Sequence, residues 1–176
     1  MDYGVKTMIN EKLEKAINEQ INKEIYSSYL YLSMAAYFAD LGLMGFSNWM
    51  KIQVQEENAH AMGLYDYLIE RGGSVELEAI DKPKTTWDNI LHVFEATLEH
   101  EQFVTKSLNE LADVADEVRD RAAASFLQWY IDEQVEEEAT ASDIINKLKL
   151  INSDGNALFM MDKDMAARTF VAPVIG

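Results

Sequence analysis

Four glutamates stand where helical periodicity asks for apolar side chains. Glu24 interrupts the series Leu13, Ile17, Gln20, Ser28, Tyr31, Ala35 and Phe38, and Glu57 interrupts Met50, Gln53, His60, Leu64 and Leu68. Glu101 falls among Leu91, Phe94, Leu98, Thr105 and Leu108, and Glu137 among Leu127, Tyr130, Gln134, Ala141, Ile144 and Leu148. Steps of three and four keep each series on one helix face, and residues seven apart differ by only ~20°. Any one of these acids reads most simply as an edge residue whose carboxylate reaches water, and a lone His60 as a core imidazole with one hydrogen bond. Four together read differently. A buried carboxylate without a partner is costly, and four that converge repel one another. A hard, multiply charged metal with oxygen and imidazole ligands removes that conflict. Beside this group lie Glu56, Glu133 and Glu136, which read equally as a solvated face or as a third, weaker metal position, while Glu138 reads as solvated.

Long helices must carry these residues. The chain has 176 residues with only eight Gly and two Pro, and long segments contain neither. That scarcity of breakers, with abundant Ala, Leu, Glu and Met, predicts an all-α fold. The first helix should span about residues 10–39 with Asn10 as N-cap, and the second about 47–71 with Ser47 as N-cap. A third is expected over about 86–112, a fourth over about 120–151, and a short fifth over about 158–169, with Pro173 in a frayed tail. The turn after Ala39 is short, so helices one and two should pack antiparallel. The segment 73–85 is longer. Thirteen extended residues reach ~43 Å, the length of a helix of about 28 residues, so this linker can cross the bundle and start helix three parallel to helix two. A plain up-down-up-down bundle stays open, since length permits a crossover without requiring it. Residues 1–176 read as one domain.

Composition excludes several classes. The net charge is −16, which argues against binding nucleic acid or an anionic membrane and favours attraction of cations. The absence of cysteine removes disulfides, zinc–thiolate sites, iron–sulfur clusters and thiol catalysis together. Between Ile25 and Met50 the only charge is Asp40, but the uncharged run before it is 15 residues and holds three serines. A bilayer needs ~20 apolar residues, so a buried helix is the better reading. The start MDYGVKTMIN lacks the pattern of a secretory signal, and a cytoplasmic protein is expected.

Di-iron carboxylate bundles draw one Glu from each of two helices and a Glu-x-x-His from each of the other two. Here Glu24 and Glu101 are the single acids, and Glu57-Asn58-Ala59-His60 is one complete Glu-x-x-His. Glu137 is followed three residues later by Thr140 instead of His, so the site would be asymmetric. With Glu24-Ile25-Tyr26-Ser27-Ser28, Gln55 through His60, His100-Glu101-Gln102, and Phe126 through Glu138, the chain resembles the prokaryotic non-haem ferritins over about residues 8–168. The resemblance implies a four-helix bundle with a long crossover, a short fifth helix and a hollow shell of twenty-four subunits. It implies a first iron position at Glu24, Glu57 and His60, and a second at Glu57 as bridge with Glu101 and Glu137, Gln134 nearby. The third position would be Glu56, Glu133 and Glu136, and Tyr31 would stand beside the oxidation centre. The missing second Glu-x-x-His argues against bacterioferritin, no haem is expected, and the absence of Cys argues against rubrerythrin.

The implied chemistry is ferroxidase activity on Fe(II), with O2 or H2O2 as oxidant, two iron ions per chain at the centre and storage as ferric mineral. Hard carboxylates favour Fe(III) and so drive the oxidation. Two other readings compete: a diiron oxidase or peroxidase not devoted to storage, and a helical interaction module whose acids are solvated. A DNA-coating mini-ferritin is disfavoured by length and acidity. Tyr26, Tyr29, Leu30 and Tyr37 lie off the Glu24–Tyr31 face, and a helix apolar around most of its circumference must be covered on more than one side. Self-association through the outer faces of helices one and two is therefore expected.

Overall fold

The computed structural model describes residues 9–152 and 154–175. They form five helices: α1 (Glu11–Asp40), α2 (Met44–Glu70), α3 (Ile90–Glu117), α4 (Arg121–Ile151) and α5 (Gly155–Met165). No strand occurs among the described residues. Side-chain caps set most of the helix starts. Asn10 accepts from the Lys12 amide at 2.9 Å, Asn89 from His92 at 2.9 Å and Asp120 from Ala123 at 3.0 Å. Asp154 accepts from both Asn156 and Ala157 at 2.9 Å. Each caps amide groups that a first helical turn leaves unpaired.

The apolar core is divided in two, and the division reveals the topology. One cluster holds Tyr31, Met34 and Phe38 of α1, Phe46 and Met50 of α2, Phe94 of α3, and Ile144 and Leu148 of α4. The other holds Leu13 and Ile17 of α1, Leu64 and Leu68 of α2, Leu108 of α3, and Leu127 and Tyr130 of α4. Moving from the first cluster to the second, residue numbers fall along α1 and α4 and rise along α2 and α3. Helices α1 and α4 therefore run one way, and α2 and α3 the other. Between the clusters lies a buried polar layer that includes Gln20, Glu24, Gln53, Glu57, His60, Glu101, Gln134 and Glu137.

The parallel relation of α2 and α3 requires the crossover. Residues 71–89 leave the end of α2 and travel along α1, whose side chains pin the backbone. Glu14 accepts from the Ser74 amide at 2.7 Å, and Asn18 bonds both the Ser74 carbonyl (2.9 Å) and the Glu76 amide (2.8 Å). Asn22 then donates to the Ala79 carbonyl at 3.3 Å and Ser33 to that of Lys84 at 2.7 Å. From Glu14 to Ser33 the helix rises about 28 Å, which the linker covers with ten residue steps, close to full extension. The strap ends on the buried Trp87, whose ring meets Tyr37 edge-on at 5.3 Å.

Several details differ from the sequence reading. Helix α2 starts at Met44, so Ser47 is not its cap; its buried hydroxyl donates to the Ala35 carbonyl of α1 at 2.9 Å. The α1–α2 turn closes at Gly42 with φ +77°, a backbone region that favours glycine. Helix α3 begins and ends a few residues later than expected, and its buried face is rotated toward Val93, Thr97, Val104 and Leu111, leaving Leu91, Leu98 and Thr105 half-buried. Helix α5 begins at its Asp154 cap, ahead of Leu158, and stops before Thr169. It lies so close to α2 that a Cβ at Gly45 would fall 1.6 Å from the Asp162 carbonyl oxygen. The tail is not frayed throughout: Val171 and Val174 are exposed, but Ile175 packs against the second apolar cluster, and the chain is also held just after α5. The Arg168 carbonyl accepts from Asn48 at 3.0 Å, and its guanidinium stacks 4.6 Å from the Trp49 ring centre. Leu30 is buried in its own chain's core, and Tyr26 and Tyr37 pack against the same cluster; Tyr29, with 49% of its surface exposed, is the outward aromatic of the four.

Candidate metal centre

The polar layer gathers its acids by helix register alone. Glu24 on α1 and Glu57 and His60 on α2 are each at most 3% exposed, and each offers one ligand atom within 4.8 Å of the others. Among the described residues this is the one compact set of three such groups. The imidazole turns its Nδ1 toward Glu57, 3.6 Å from Oε2. Trp129 and Tyr130 meet the ring edge-on at 5.4 and 6.1 Å, and the Tyr130 hydroxyl donates to the His60 carbonyl at 2.8 Å. These contacts fix where the ring points.

Glu101 on α3 and Glu137 on α4 complete the layer at 1% and 7% exposure. A buried amide holds each acid other than Glu57. Gln20 donates to Glu24 at 2.7 Å, Gln53 to Glu137 at 3.1 Å, and Gln134 to both the side chain and the carbonyl of Glu101 at 3.1 Å. The Tyr31 hydroxyl also donates to Glu101. Behind Gln20 the donors run in one direction: Lys23 to Ser107 at 2.6 Å, Ser107 to Gln20 at 2.5 Å, and Gln20 to Glu24. Glu24 and Glu137 thus each have one oxygen held by an amide, Glu101 has one oxygen held by Tyr31 and the other by Gln134, and Glu57 has no amide donor.

Electrostatics shows the same unmet need. Burial raises all four acids above the usual carboxylate range, Glu101 to about 7 and Glu137 to about 8. Glu57 is pushed well up by burial and then by the charges of Glu101, Glu24 and Glu137, and it shares a hydrogen bond with Glu24. Burial lowers His60 to about 4, leaving a neutral imidazole with a lone pair to donate. Tyr31 is raised well above its ordinary value, by burial first and by the charge of Glu101 next, so it keeps its proton. Among the described residues no Lys or Arg forms an ion pair with any of the four acids. Four carboxylates and one imidazole with no ion-pair partner, only the more distant charges of Lys23 near Glu24 and Arg168 near Glu137, fit one or two hard divalent cations.

The neighbouring acids are arranged differently. Glu56 and Glu133 are half-buried and Glu136 is exposed. Burial raises the carboxyls of Glu56 and Glu133; Arg168 opposes the rise at Glu56 while the charge of Glu133 adds to it, and Glu136 adds to that at Glu133, but the three do not converge as tightly as Glu24, Glu57 and His60. Glu56 already has a cation: the Arg168 guanidinium donates to it at 2.6 Å. Glu138 accepts from Thr105 at 2.6 Å. Sequence reading placed Gln20 and Gln53 on the same inward stripes as the acids without giving them a role. The available signal was an amide one turn before an acid on the same stripe.

Comparison with known proteins bears on this arrangement. The ferritin-like domain family matches residues 14–151. The bacterial non-heme ferritin of Bacteroides fragilis is 47% identical over 161 residues, covering 92% of this chain and 100% of that protein. That of Staphylococcus saprophyticus is 42% identical over 163 residues, covering 93% and 98%. Among solved structures, the open-pore ferritin of the hyperthermophilic archaeon Archaeoglobus fulgidus superposes with a TM-score of 0.91 at 53% identity, over 93% of this chain and 99% of that one. An engineered closed form of the same ferritin gives 0.92 at the same identity and coverage.

Proposed function

The chain belongs to the ferritin family, and from that premise we propose that it is an iron-storage ferroxidase acting as one domain over residues 1–176. The observation that carries the reading is the buried group of Glu24, Glu57 and His60, with Glu101 and Glu137 completing it and no counter-charge of their own. Fe(II) is the substrate. Glu24, Glu57 and His60 hold one ion; Glu57, Glu101 and Glu137 hold the second, with Gln134 beside it. Two Fe(II) ions supply one electron each, and O2 with two protons becomes H2O2 while both ions become Fe(III); H2O2 is an alternative oxidant. Tyr31 and Gln134 fix Glu101, Gln20 fixes Glu24, and Gln53 fixes Glu137. The apolar clusters on either side keep bulk water out. The ferric product moves on to a mineral, helped by a net charge of −16 that concentrates cations around the protein. Anaerobic titration with Fe(II) followed by oxygen tests the whole reading. Two ions per chain should be oxidised in a fast first phase, and uptake should then rise far beyond them; uptake that stops at two or three favours a diiron oxidase with another substrate.

Glu56, Glu133 and Glu136 form the third position in this reading, where iron passes after oxidation. A metal there must share Glu56 with Arg168. Glu133→Ala should leave the first oxidation of two irons per chain in place and change the later turnovers, slowing regeneration roughly threefold or more. Oxygen-electrode traces over repeated additions of Fe(II) decide this. Complete loss of the initial oxidation would assign these acids to the main centre instead.

The protein works as a closed homo-oligomer in the cytoplasm, twenty-four chains by family resemblance. Among the described residues no helix is long and apolar enough to cross a membrane. Tyr29, Leu32, Met62 and Ile69 on α1 and α2 are each about half exposed, which is costly for a monomer in water. Light scattering should give about 480 kDa for a 20.0 kDa chain. A 20.0 kDa monomer at micromolar concentration would refute assembly.

A further inference from the structure

Gln53 carries an unexplained polar atom. Its side chain is 0% exposed, its Nε2 donates to Glu137 Oε2 at 3.1 Å, and its Oε1 is buried with no hydrogen-bond partner. The only other such atom among the described residues is the Trp87 indole nitrogen in the crossover, away from the polar layer. Leaving a buried carbonyl unpaired is costly, and a hydrophobic isostere would avoid it. Gln20 is the informative contrast. It also stands one turn before an acid and donates to it, yet its Oε1 accepts from Ser107. Both polar atoms of Gln20 are therefore paired, whereas Gln53 has one left open.

The amide's orientation is also constrained. Once Glu137 is ionised, an amide oxygen facing it would set two acceptors against each other, so the N–H must face Glu137 and the oxygen must point elsewhere. The two polar atoms of one amide are only about 2.3 Å apart, so Oε1 stays beside whatever cation Glu137 holds. It is neutral, hard and oxygen-based, the donor type that suits Fe(II) without adding to an already crowded negative charge.

We propose that Gln53 is a further ligand of the oxidation centre, with its Oε1 binding the iron held by Glu137 while its Nε2 fixes that carboxylate. The inference rests on the diiron reading above and adds a donor that the four acids and His60 do not include. It also accounts for the orphan: the carbonyl is unpaired because its partner is the substrate ion.

Gln53→Leu tests this with redox-inactive metals, using the assembled full-length protein. Calorimetric titration with Zn(II) and with Co(II), the latter followed by its visible absorption, should show one site per chain unchanged and the other weakened tenfold or more. The same variant without metal should melt at or above the wild-type temperature, because it no longer buries an unpaired carbonyl. Gln53→Glu, which restores an oxygen donor, should recover the second site. Wild-type affinity for both metal ions in Gln53→Leu would overturn the proposal. So would a lower melting temperature with unchanged metal binding, which would mean that Oε1 serves a buried water. Glu24→Ala and Glu137→Ala separate the two levels: if they too bind both ions normally, the diiron reading falls along with this one, and if only they lose metal, the Gln53 assignment alone falls.

Discussion

Replacing Glu57 with Gln should slow Fe(II) oxidation by about a hundredfold or more, the largest loss expected from any single change in the polar layer. The reason is position. Glu57 alone among the four acids is pushed upward by the charges of all three others, and it sits within ligand distance of both Glu24 and His60. In the proposed arrangement Glu57 is the ligand shared by both ions, so losing it should damage both positions and the spacing between them. Glu24→Ala, His60→Ala and Glu137→Ala would each remove one proposed ligand of a single ion, and about tenfold or more is expected for each. Stopped-flow absorbance after mixing Fe(II)-loaded protein with oxygen gives the comparison directly.

The fold should survive these changes. Each acid lies in the interior of a long helix, between two apolar clusters that do not depend on it. Gln at position 57 keeps the shape and removes a buried charge that three neighbours repel, so the metal-free variant should melt no lower than wild type. A wild-type oxidation rate in Glu57→Gln would remove Glu57 from the centre. Slow oxidation accompanied by a collapsed melting temperature would show a structural role instead.

Much of this layer was legible in the chain. The series on α1, α2 and α4 are buried at every position named from their spacing, and the four acids fall within those faces or, on α3, beside one. Helix α3 was less legible because it packs against both α1 and α4, so its buried arc is wider than a single stripe and takes in Val93, Thr97 and Val104. Ser47 imitated a cap because a Ser ahead of an apolar run signals a helix start. Its hydroxyl instead satisfies a carbonyl on the adjacent helix, a use that spacing cannot show. The same limit hid the supporting contacts. Gln53 meets Glu137 across 84 positions of sequence, and Arg168 meets Glu56 across 112. Local pattern fixes which face of a helix is polar, but which groups pair across the bundle depends on its packing.

The metal-free protein should lose stability as pH rises from about 6.5 to 8, and metal loading should remove most of that loss. Glu101 and Glu137 are raised from 4.5 to about 7 and about 8, and Glu24 and Glu57 are raised as well. Between the unfolded value of 4.5 and these folded values, the native state keeps protons that the unfolded chain has released. Stability then falls with pH, by up to about 1.4 kcal/mol per pH unit for each such proton. His60 and His100, both lowered from 6.5 to about 4, act in the opposite sense, since between those values the unfolded chain binds the protons. Their contribution ends near pH 6.5, and above it the acids act alone. A divalent cation takes the place of the protons, so a Zn(II)-loaded sample should release protons on binding near pH 7 and then show a nearly flat melting temperature. Calorimetric melting of chelator-treated protein at half-unit steps from pH 6 to 8.5 provides the test. Glu137→Gln should flatten the metal-free curve, because it removes a group that titrates high in that window. A metal-free melting temperature that holds steady or climbs from 6.5 to 8 would mean that these carboxylates are already ionised and compensated without metal, and the case for a cation in the layer would lose its electrostatic basis.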